Sequence, residues 1–419
     1  MKYTYLFFLL VASALVNTAK GQSYSLESLE KDFLSGNYML IAAKYNVAVA
    51  QANVVQEKLW PNPSLSIGEV NLWANSGSET LPPLIGNYGK HQQVSFELEQ
   101  LLETAGKRSK RVAVTTLQQK MAVAEFEALV LELKKELRQT YYHALILKHN
   151  QSQIDQVVAL FEQLAQQYAA QAKLQNVALA DYQRVQAELI NLKGEQAALD
   201  DDIAITIHTL RTLTLREDIT IQGLEDGDAF ESRKARIPVE IEKLALESNS
   251  TLQQRRIDLE IAKGELTLEK ANAKPDVTLQ LGYDRGGNIM QDFIGLGISV
   301  DLPVFNRNKG NIQAAKQAIS MHEANQASAK WEVESTLRKN SELLSKYEKT
   351  ITAIPHGSID QQQVTVEKYK KHLLAQQITL MEFIDFTQAV RDANLTMLTI
   401  WENYNNTFEE LQYLVGNDF

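Results

Sequence analysis

The 419-residue chain contains no cysteine. Disulfides, thiolate metal ligands, a cysteine nucleophile and a lipidated N-terminal cysteine are all excluded. Proline is scarce, 8 in all, and none lies between Pro83 and Pro238. Between Gly106 and Gly223 the only glycine is Gly194. Such a stretch lacks the strongest chain breakers and reads as very long helix. Basic residues are outnumbered, giving a net charge of −10. A non-specific nucleic-acid binder would carry a basic patch instead, so no nucleic-acid partner is expected. No stretch beyond the N-terminus reaches 18 consecutive apolar residues, which predicts no transmembrane helix. There is no Gly-x-x-x-x-Gly-Lys stretch, and the "HEANQ" at His322 is not a His-Glu-x-x-His site. His143 and His149, six apart, fall on different helix faces. The seven methionines form no cluster suited to a soft metal. With no nucleophile constellation and no dinucleotide loop, the expectation is a protein that is not an enzyme and holds no cofactor or metal.

What is present is a substantial apolar content, 44 %, enough to bury a core. The N-terminus, "MKYTYLFFLLVASALVNTAKGQS", has a basic Lys2, an apolar run from Leu6 to Val16, and small residues at Ala19 and Gly21. The run is too short to span a bilayer as a helix, and residues 1–21 read as a cleaved secretory signal.

The rest says everything twice. Asn37 and Pro63 in the first half match Asn249 and Pro275 in the second, both 212 residues on. Gly106 matches Gly310 at an offset of 204. Tyr168, Leu179, Asp181 and Leu210 match Tyr369, Leu380, Glu382 and Leu411 at 201. Offsets that shrink in steps mean one unit repeated, with length changes only at connections. The expected halves are 22–215 and 238–419, joined by an aperiodic connector at 216–237. Each half opens with a helix of about three dozen residues (Ser25 to Trp60; Pro238 to Ala273). A proline stops it, because the ring removes a donor and clashes with the preceding turn. Two strands follow, about 64–73 and 91–101 in the first half, 276–285 and 293–302 in the second. Long helices then fill about 104–215 and 308–416. Phe126, Val130, Leu133, Leu137, Thr140, Ala144 and Leu147 step by 4 and 3, the seam of helices packed side by side. Breaks near 171–177 and 374–378 turn the chain back. An outgoing helix of this size would be ~100 Å long at 1.5 Å per residue.

Val277, Leu279, Leu281 and Tyr283 alternate with Thr278, Gln280, Gly282 and Asp284, and Ile294 to Leu302 alternates with glycine, serine and aspartate. Val94, Phe96 and Leu98 alternate in the same way, while "SLSIGEVNLW" slips register near Gly68, as at a bulge. Two-faced segments of about ten residues suit either a membrane β-barrel or a sheet packed on the helices of a soluble protein. Four strands cannot close a membrane barrel, whose smallest examples use about 8, so the first reading needs several chains.

"LWPNPSL", "ETAGKRSKR", "DLPVFNRNKGNIQAA" and "LVGNDF", in this order, resemble TolC-like outer-membrane efflux proteins of the CzcC/CusC-like group. The resemblance covers essentially all of 22–419. It implies a mainly α fold with a small β portion. Two tandem repeats would form one third of a trimeric 12-stranded outer-membrane β-barrel continuous with a periplasmic α-helical barrel. It also implies a passive exit duct in the outer membrane of a Gram-negative bacterium. The partners would be two further copies of the chain, outer-membrane lipid, a periplasmic adaptor and a resistance–nodulation–division pump. The helix tips would meet the adaptor through Lys173, Leu174, Gln175, Asn176, Gln376 and Gln377. Glu382 and Asp385, in "MEFID", match the family's acidic ring at the pore mouth, with Asp181 as the repeat counterpart of Glu382. Two other functions stay open: a periplasmic coiled-coil adaptor or scaffold without a pore, and the outer-membrane channel of type I protein secretion.

Overall fold

The computed structural model describes residues 23–68, 80–86, 89–90, 92–286, 290–355 and 358–419, with the side chains of 358–363 left aside. The expected signal segment lies outside the described residues; of the bulge expected near Gly68, the residues after Gly68 lie outside them too, and up to Gly68 the pairing with the next strand is regular. The chain is mostly helical, with one small antiparallel sheet, and it runs as two tandem repeats. The first holds α1 (Leu26–Gly36), α2 (Tyr38–Glu57), β1 (Ser64–Gly68), β2 (Ser95–Leu102), α3 (Lys107–Lys173) and α4 (Leu179–Thr214). The second holds α5 (Ile241–Ser248), α6 (Ser250–Asn272), β3 (Val277–Gly286), β4 (Gln291–Val300), α7 (Lys309–Ala353), α8 (Ser358–Leu374) and α9 (Leu380–Val415). Among the described residues no helix is long and apolar enough to cross a membrane.

Two features differ from the sequence reading. The opening helix of each half is not one piece. It breaks at Asn37 and again at Asn249, where ψ is 122° and 125°. Both asparagines are buried. The Asn37 side chain caps the restarted helix, its Oδ1 accepting from Met39 N at 2.9 Å and Leu40 N at 3.2 Å. Its Nδ2 donates to Leu213 O at 2.9 Å, and Asn249 Nδ2 donates to Leu414 O at 2.9 Å. Those carbonyls lie in the last turns of α4 and α9, where the helix offers no partner of its own. The second difference is in the last long stretch, which is divided between α7 and α8. Pro355 stands at the division, and a proline disfavours helix both at its own position and at the residue before it.

The chain divides into two compact units. One comprises residues 42–127 and 250–331 and holds the sheet, with strand order β1-β2-β3-β4, every pair antiparallel. The register puts Leu65, Leu98, Leu281 and Leu296 in one cross-strand row, and Ile67, Phe96, Tyr283 and Ile294 in another. Between them run Ser66, Glu97, Gly282 and Gly295 on the opposite face. Among the described residues this apolar face is left largely uncovered: Leu296 is 87 % exposed and Leu65 64 %, Leu281 44 % and Leu98 40 %. Below the sheet, buried Lys107 donates to Asp276 Oδ2 at 2.7 Å and Lys274 O at 2.8 Å, tying the start of α3 to the entry of β3.

The other unit comprises residues up to 41, 128–249 and 332–419. Leu133, Leu137, Ala144 and Leu147 of the heptad seam are buried in it, joined by Tyr141, Tyr142, Leu145 and Ile146. The connector is anchored rather than slack. Tyr24 forms a parallel bridge with Leu224, Tyr141 Oη donates to Glu225 O at 2.5 Å, and Asn405 Nδ2 donates to Ala229 O at 2.8 Å.

Candidate functional site at the paired helical turns

The two hairpin turns obey the repeat to the residue. α3 ends at Lys173 and α4 begins at Leu179; α8 ends at Leu374 and α9 begins at Leu380, each 201 positions on. Gln175 and Gln376 both adopt left-handed backbone, φ 58° and 57°. The next N–H in each turn reaches back five positions, Asn176 to Gln171 O at 3.0 Å and Gln377 to His372 O at 2.9 Å. This is a Schellman closure, which satisfies carbonyls that the helix end leaves bare. Side chains pair across the same positions: Asn176 Nδ2 donates to Gln171 Oε1 at 2.8 Å, and His372 Nδ1 bonds Gln377 Oε1. Lys173, Leu174, Gln175, Asn176, Gln376 and Gln377 are all exposed.

The return helices start differently. Ala178 precedes α4 and provides no side-chain cap. Thr379 precedes α9 and forms a capping box with Glu382. Glu382 Oε2 accepts from Thr379 N at 2.7 Å and Oγ1 at 2.9 Å, while Glu382 N donates to Thr379 Oγ1 at 3.2 Å. The Thr379 backbone N–H, then its hydroxyl, hold the Glu382 carboxyl below its usual range. Glu382 lies in the first turn of α9 and Asp385 three residues further on, and both are exposed. Asp181 belongs to the other turn and is half-buried. Burial, and then the Asp181 charge, push the Tyr168 phenol up. The capping role of Glu382 was legible as Thr379-x-x-Glu382, a pattern with a known geometry.

Behind the turns, Phe161, Leu164, Val185, Leu373 and Phe383 form a common core with Leu192, Leu380 and Ile384. Tyr369 stacks on Phe386 at 4.2 Å. Polar contacts fasten the two hairpins together: Arg184 Nη1 to Met381 Sδ at 2.9 Å, Gln388 Nε2 to Glu188 Oε1 at 3.0 Å, and Arg391 to Glu195. None of these pairs stood out in the sequence, because apart from Met381 each member is an ordinary polar side chain on a helix, and no local pattern links the two hairpins. Among the described residues no three His, Cys, Asp or Glu side chains converge to hold a metal ion.

No family model matches the chain. It is 20 % identical over 281 residues to the cobalt-zinc-cadmium resistance protein CzcC of Cupriavidus metallidurans, a match covering 67 % of this chain and 63 % of that protein. The chain thus matches somewhat under two thirds of that relative's length. Its fold superposes on CusC, a structure described in terms of transmembrane channel formation, with a TM-score of 0.70 and 16 % identity over 94 % of this chain and 92 % of that one. The outer membrane protein VceC of Vibrio cholerae gives 0.72 and 15 % identity, over 94 % and 96 %. The chain is thus similar in sequence to CzcC and shares the fold of the CusC and VceC structures.

The chain carries a second polar cluster that sequence reasoning missed. Glu409, 3 % exposed, lies between Arg138 Nη1 at 3.0 Å and Arg233 Nη1 at 3.1 Å. Burial pushes its carboxyl up, and the two guanidiniums oppose that. Arg138 also holds Glu30 of α1 and Asp418 of the C-terminal segment, so one half-buried side chain ties α3 to both. Nearby, His143 of α3 bonds Glu402 of α9 at 2.7 Å and faces Asp202 of α4 at 3.4 Å. The hydrogen bond to Glu402 raises the His143 pKa, burial opposes it, and the charges of Glu402 and Asp202 add to the rise.

Proposed function

We propose that the chain is the outer-membrane subunit of a tripartite efflux system, a passive exit duct built from three copies. The observation that carries this reading is the sheet: four strands with one continuous apolar face, open to the surroundings. In hydrocarbon every backbone group needs a partner, so a four-stranded sheet survives there only if other chains close it into a ring. Three chains would supply twelve strands. Helix faces support the same assembly. Ile41, Tyr45, Ala48, Ala52 and Val55 of α2 step by 4 and 3 and are all exposed, as are Met321, Ala324 and Ser328 of α7. Exposed stripes at coiled-coil spacing suit helices of a neighbouring copy.

The helical turns would face the periplasm and receive an adaptor, which links the duct to a resistance–nodulation–division pump. Six carboxylates from Glu382 and Asp385 of three copies would ring the opening, attracting cations and repelling anions. Opening would separate the two hairpins and break Arg184–Met381, Gln388–Glu188 and Arg391–Glu195. The relatedness to a cobalt-zinc-cadmium resistance protein makes divalent metal ions the first cargo to test. The test is fractionation followed by electrophoresis and bilayer recording. The expected result is an outer-membrane protein that runs as an SDS-resistant trimer, dissociates on heating and conducts ions. A soluble monomer in periplasmic extract would favour the scaffold reading.

A further inference from the structure

All four junctions between helix and strand lie at one end of the sheet. The register sets the end of β2, Leu102, beside the start of β3, Val277, and the end of β4, Val300. β1 starts at Ser64, opposite Glu99 near that same end. The chain has a net charge of −10, yet these junctions are basic: Lys58 precedes β1, "GKRSKR" follows β2, Lys274 precedes β3, and Arg307 and Lys309 follow β4. Of the carboxylates beside them, Glu57 and Glu103 are both held by Arg111, and Asp276 is held by Lys107, while Asp301 is exposed. Among the described residues Lys58, Arg108, Lys274, Arg307 and Lys309 meet no carboxylate. The positive charge here is a surplus, not one side of an ion-pair network. The same junctions present large apolar side chains. Trp60, Leu302 and Phe305 are exposed, Phe305 completely, and Leu302 continues the alternation of Ile294 and Leu296 on the apolar face. The Arg108 guanidinium lies 3.8 Å over the Trp60 ring. An indole beside a charged group suits the boundary between hydrocarbon and water. An acidic protein partner would account for the charge but not for Leu302 and Phe305, and hydrocarbon alone would account for those but not for the charge.

We propose that these junctions form a collar that binds the phosphate headgroups of anionic phospholipids in the membrane leaflet next to the helices. The inference rests on the duct reading. Within one chain β1 and β4 are opposite edges of the sheet. Ring closure sets β4 of one copy beside β1 of the next, so Phe305 and Arg307 of one copy join Lys58 and Trp60 of its neighbour. Each site of the collar is complete only with two copies. Leu302 and Phe305 enter the acyl boundary, while Lys58, Arg108 and Arg307 reach the phosphate oxygens. Arginine suits this role because its planar fork can donate two bonds to one phosphate. Each lysine or arginine held near an anionic membrane surface strengthens association roughly fivefold.

The experiment reconstitutes the purified full-length protein in phosphatidylethanolamine vesicles. Electron spin resonance then measures how strongly spin-labelled phosphatidylglycerol and spin-labelled phosphatidylcholine associate with it. The expected result is a preference for phosphatidylglycerol of roughly fivefold, the size of one well-placed basic side chain. It should fall to within about twofold in ~1 M salt, where the screening length shortens to ~3 Å. The combined variant Lys58→Gln, Arg108→Gln and Arg307→Gln should lose the preference and still run as a heat-dissociable trimer, because none of the three holds a carboxylate in the fold. Lys339→Gln, Lys346→Gln and Lys349→Gln together remove the same charge from exposed positions on later turns of α7 and should keep the preference. Equal association of the two lipids with inserted wild-type protein overturns the collar and leaves the duct intact. So does a preference that survives in the collar variant, or one lost equally in the α7 variant. Loss of the preference on adding inorganic phosphate, but not chloride at the same ionic strength, would assign the site to free phosphate and overturn the lipid reading too. Protein that enters no vesicle sinks the duct reading and the collar with it.

Discussion

At Glu382 one carboxylate serves two demands. It completes the cap of α9 through Thr379, and in the proposed trimer it contributes charge to the opening. The two are separable, because glutamine can also complete a capping box while carrying no charge. Glu382→Gln combined with Asp385→Asn should lower cation preference in bilayer recordings while amide exchange at residues 380–384 stays at the wild-type rate. Unchanged selectivity would leave Glu382 with its capping role alone. Thr379→Ala tests the cap itself. Losing a threonine N-cap costs about 1 kcal/mol of local stability, seen as faster exchange in the first turn of α9, and Ala178→Ser should slow exchange in the first turn of α4. His143 gives a pH signature. Its folded pKa is raised above 6.5 by Glu402, with burial opposing and Asp202 adding. A raised pKa means the protonated form is favoured by folding. The stabilisation is therefore complete below pH 6.5 and is lost as pH rises through the folded-state value. Thermal unfolding should show a midpoint that declines over that window in the wild type and is flatter in His143→Gln.

At the scale of elements the repeat is most informative where it is broken. Leu215 and Gly416 are 201 apart and both hold left-handed backbone, φ 56° and 77°. Gly36 and Ser248 are 212 apart and close the short helices that pack beside them. A Cβ on Gly416 would meet Ser248 O at 2.6 Å, whereas one on Gly36 would meet the Leu215 side chain at 3.8 Å. Each repeat keeps one glycine at this approach, on opposite sides. Gly416→Ala combines a positive φ with a backbone clash and should cost more than the about 1 kcal/mol of an ordinary left-handed site, read from denaturant unfolding. Asn249→Ala should cost about 1–3 kcal/mol, since it strips Leu414 O of its buried donor. These positions also show what the sequence could tell. The offsets of 212 and 201 were readable from matched residues, and they hold for hydrogen bonds and backbone conformations as well. That Asn37 would interrupt a helix was not readable, since asparagine inside an apolar periodic stretch is only mildly unfavourable. Its effect comes from Leu213 O, which is 176 residues away. Pro355 was visible and marks the division between α7 and α8. The ties between Gln388 and Glu188 or Arg391 and Glu195 carry no local pattern, so only the fold brings them together.

For the whole molecule, the decisive surface is the row Leu65, Leu98, Leu281 and Leu296. Alternation in the strands was legible, but which face would be covered was not, because period two is the same for a lipid-facing sheet and for one packed on helices. The pairing register makes the four leucines contiguous, and their exposure leaves the face to an external partner. If that partner is hydrocarbon, a charge placed there is penalised by depth, about 2–4 kcal/mol for arginine near the bilayer centre. The opposite face offers the matched control. Leu281→Arg should therefore reduce the outer-membrane, heat-dissociable form and shift protein to the soluble or degraded fraction. Gly282→Ser, one residue along the same strand and pointing to the polar side where an added Cβ meets nothing within 4 Å, should leave it at wild-type level. Pulling the two faces apart in this way separates a lipid wall from a general intolerance of the strand to substitution. Equal membrane yield for Leu281→Arg and the wild type would mean that the leucine row touches water or protein rather than lipid, and the ring of strands would lose its physical basis.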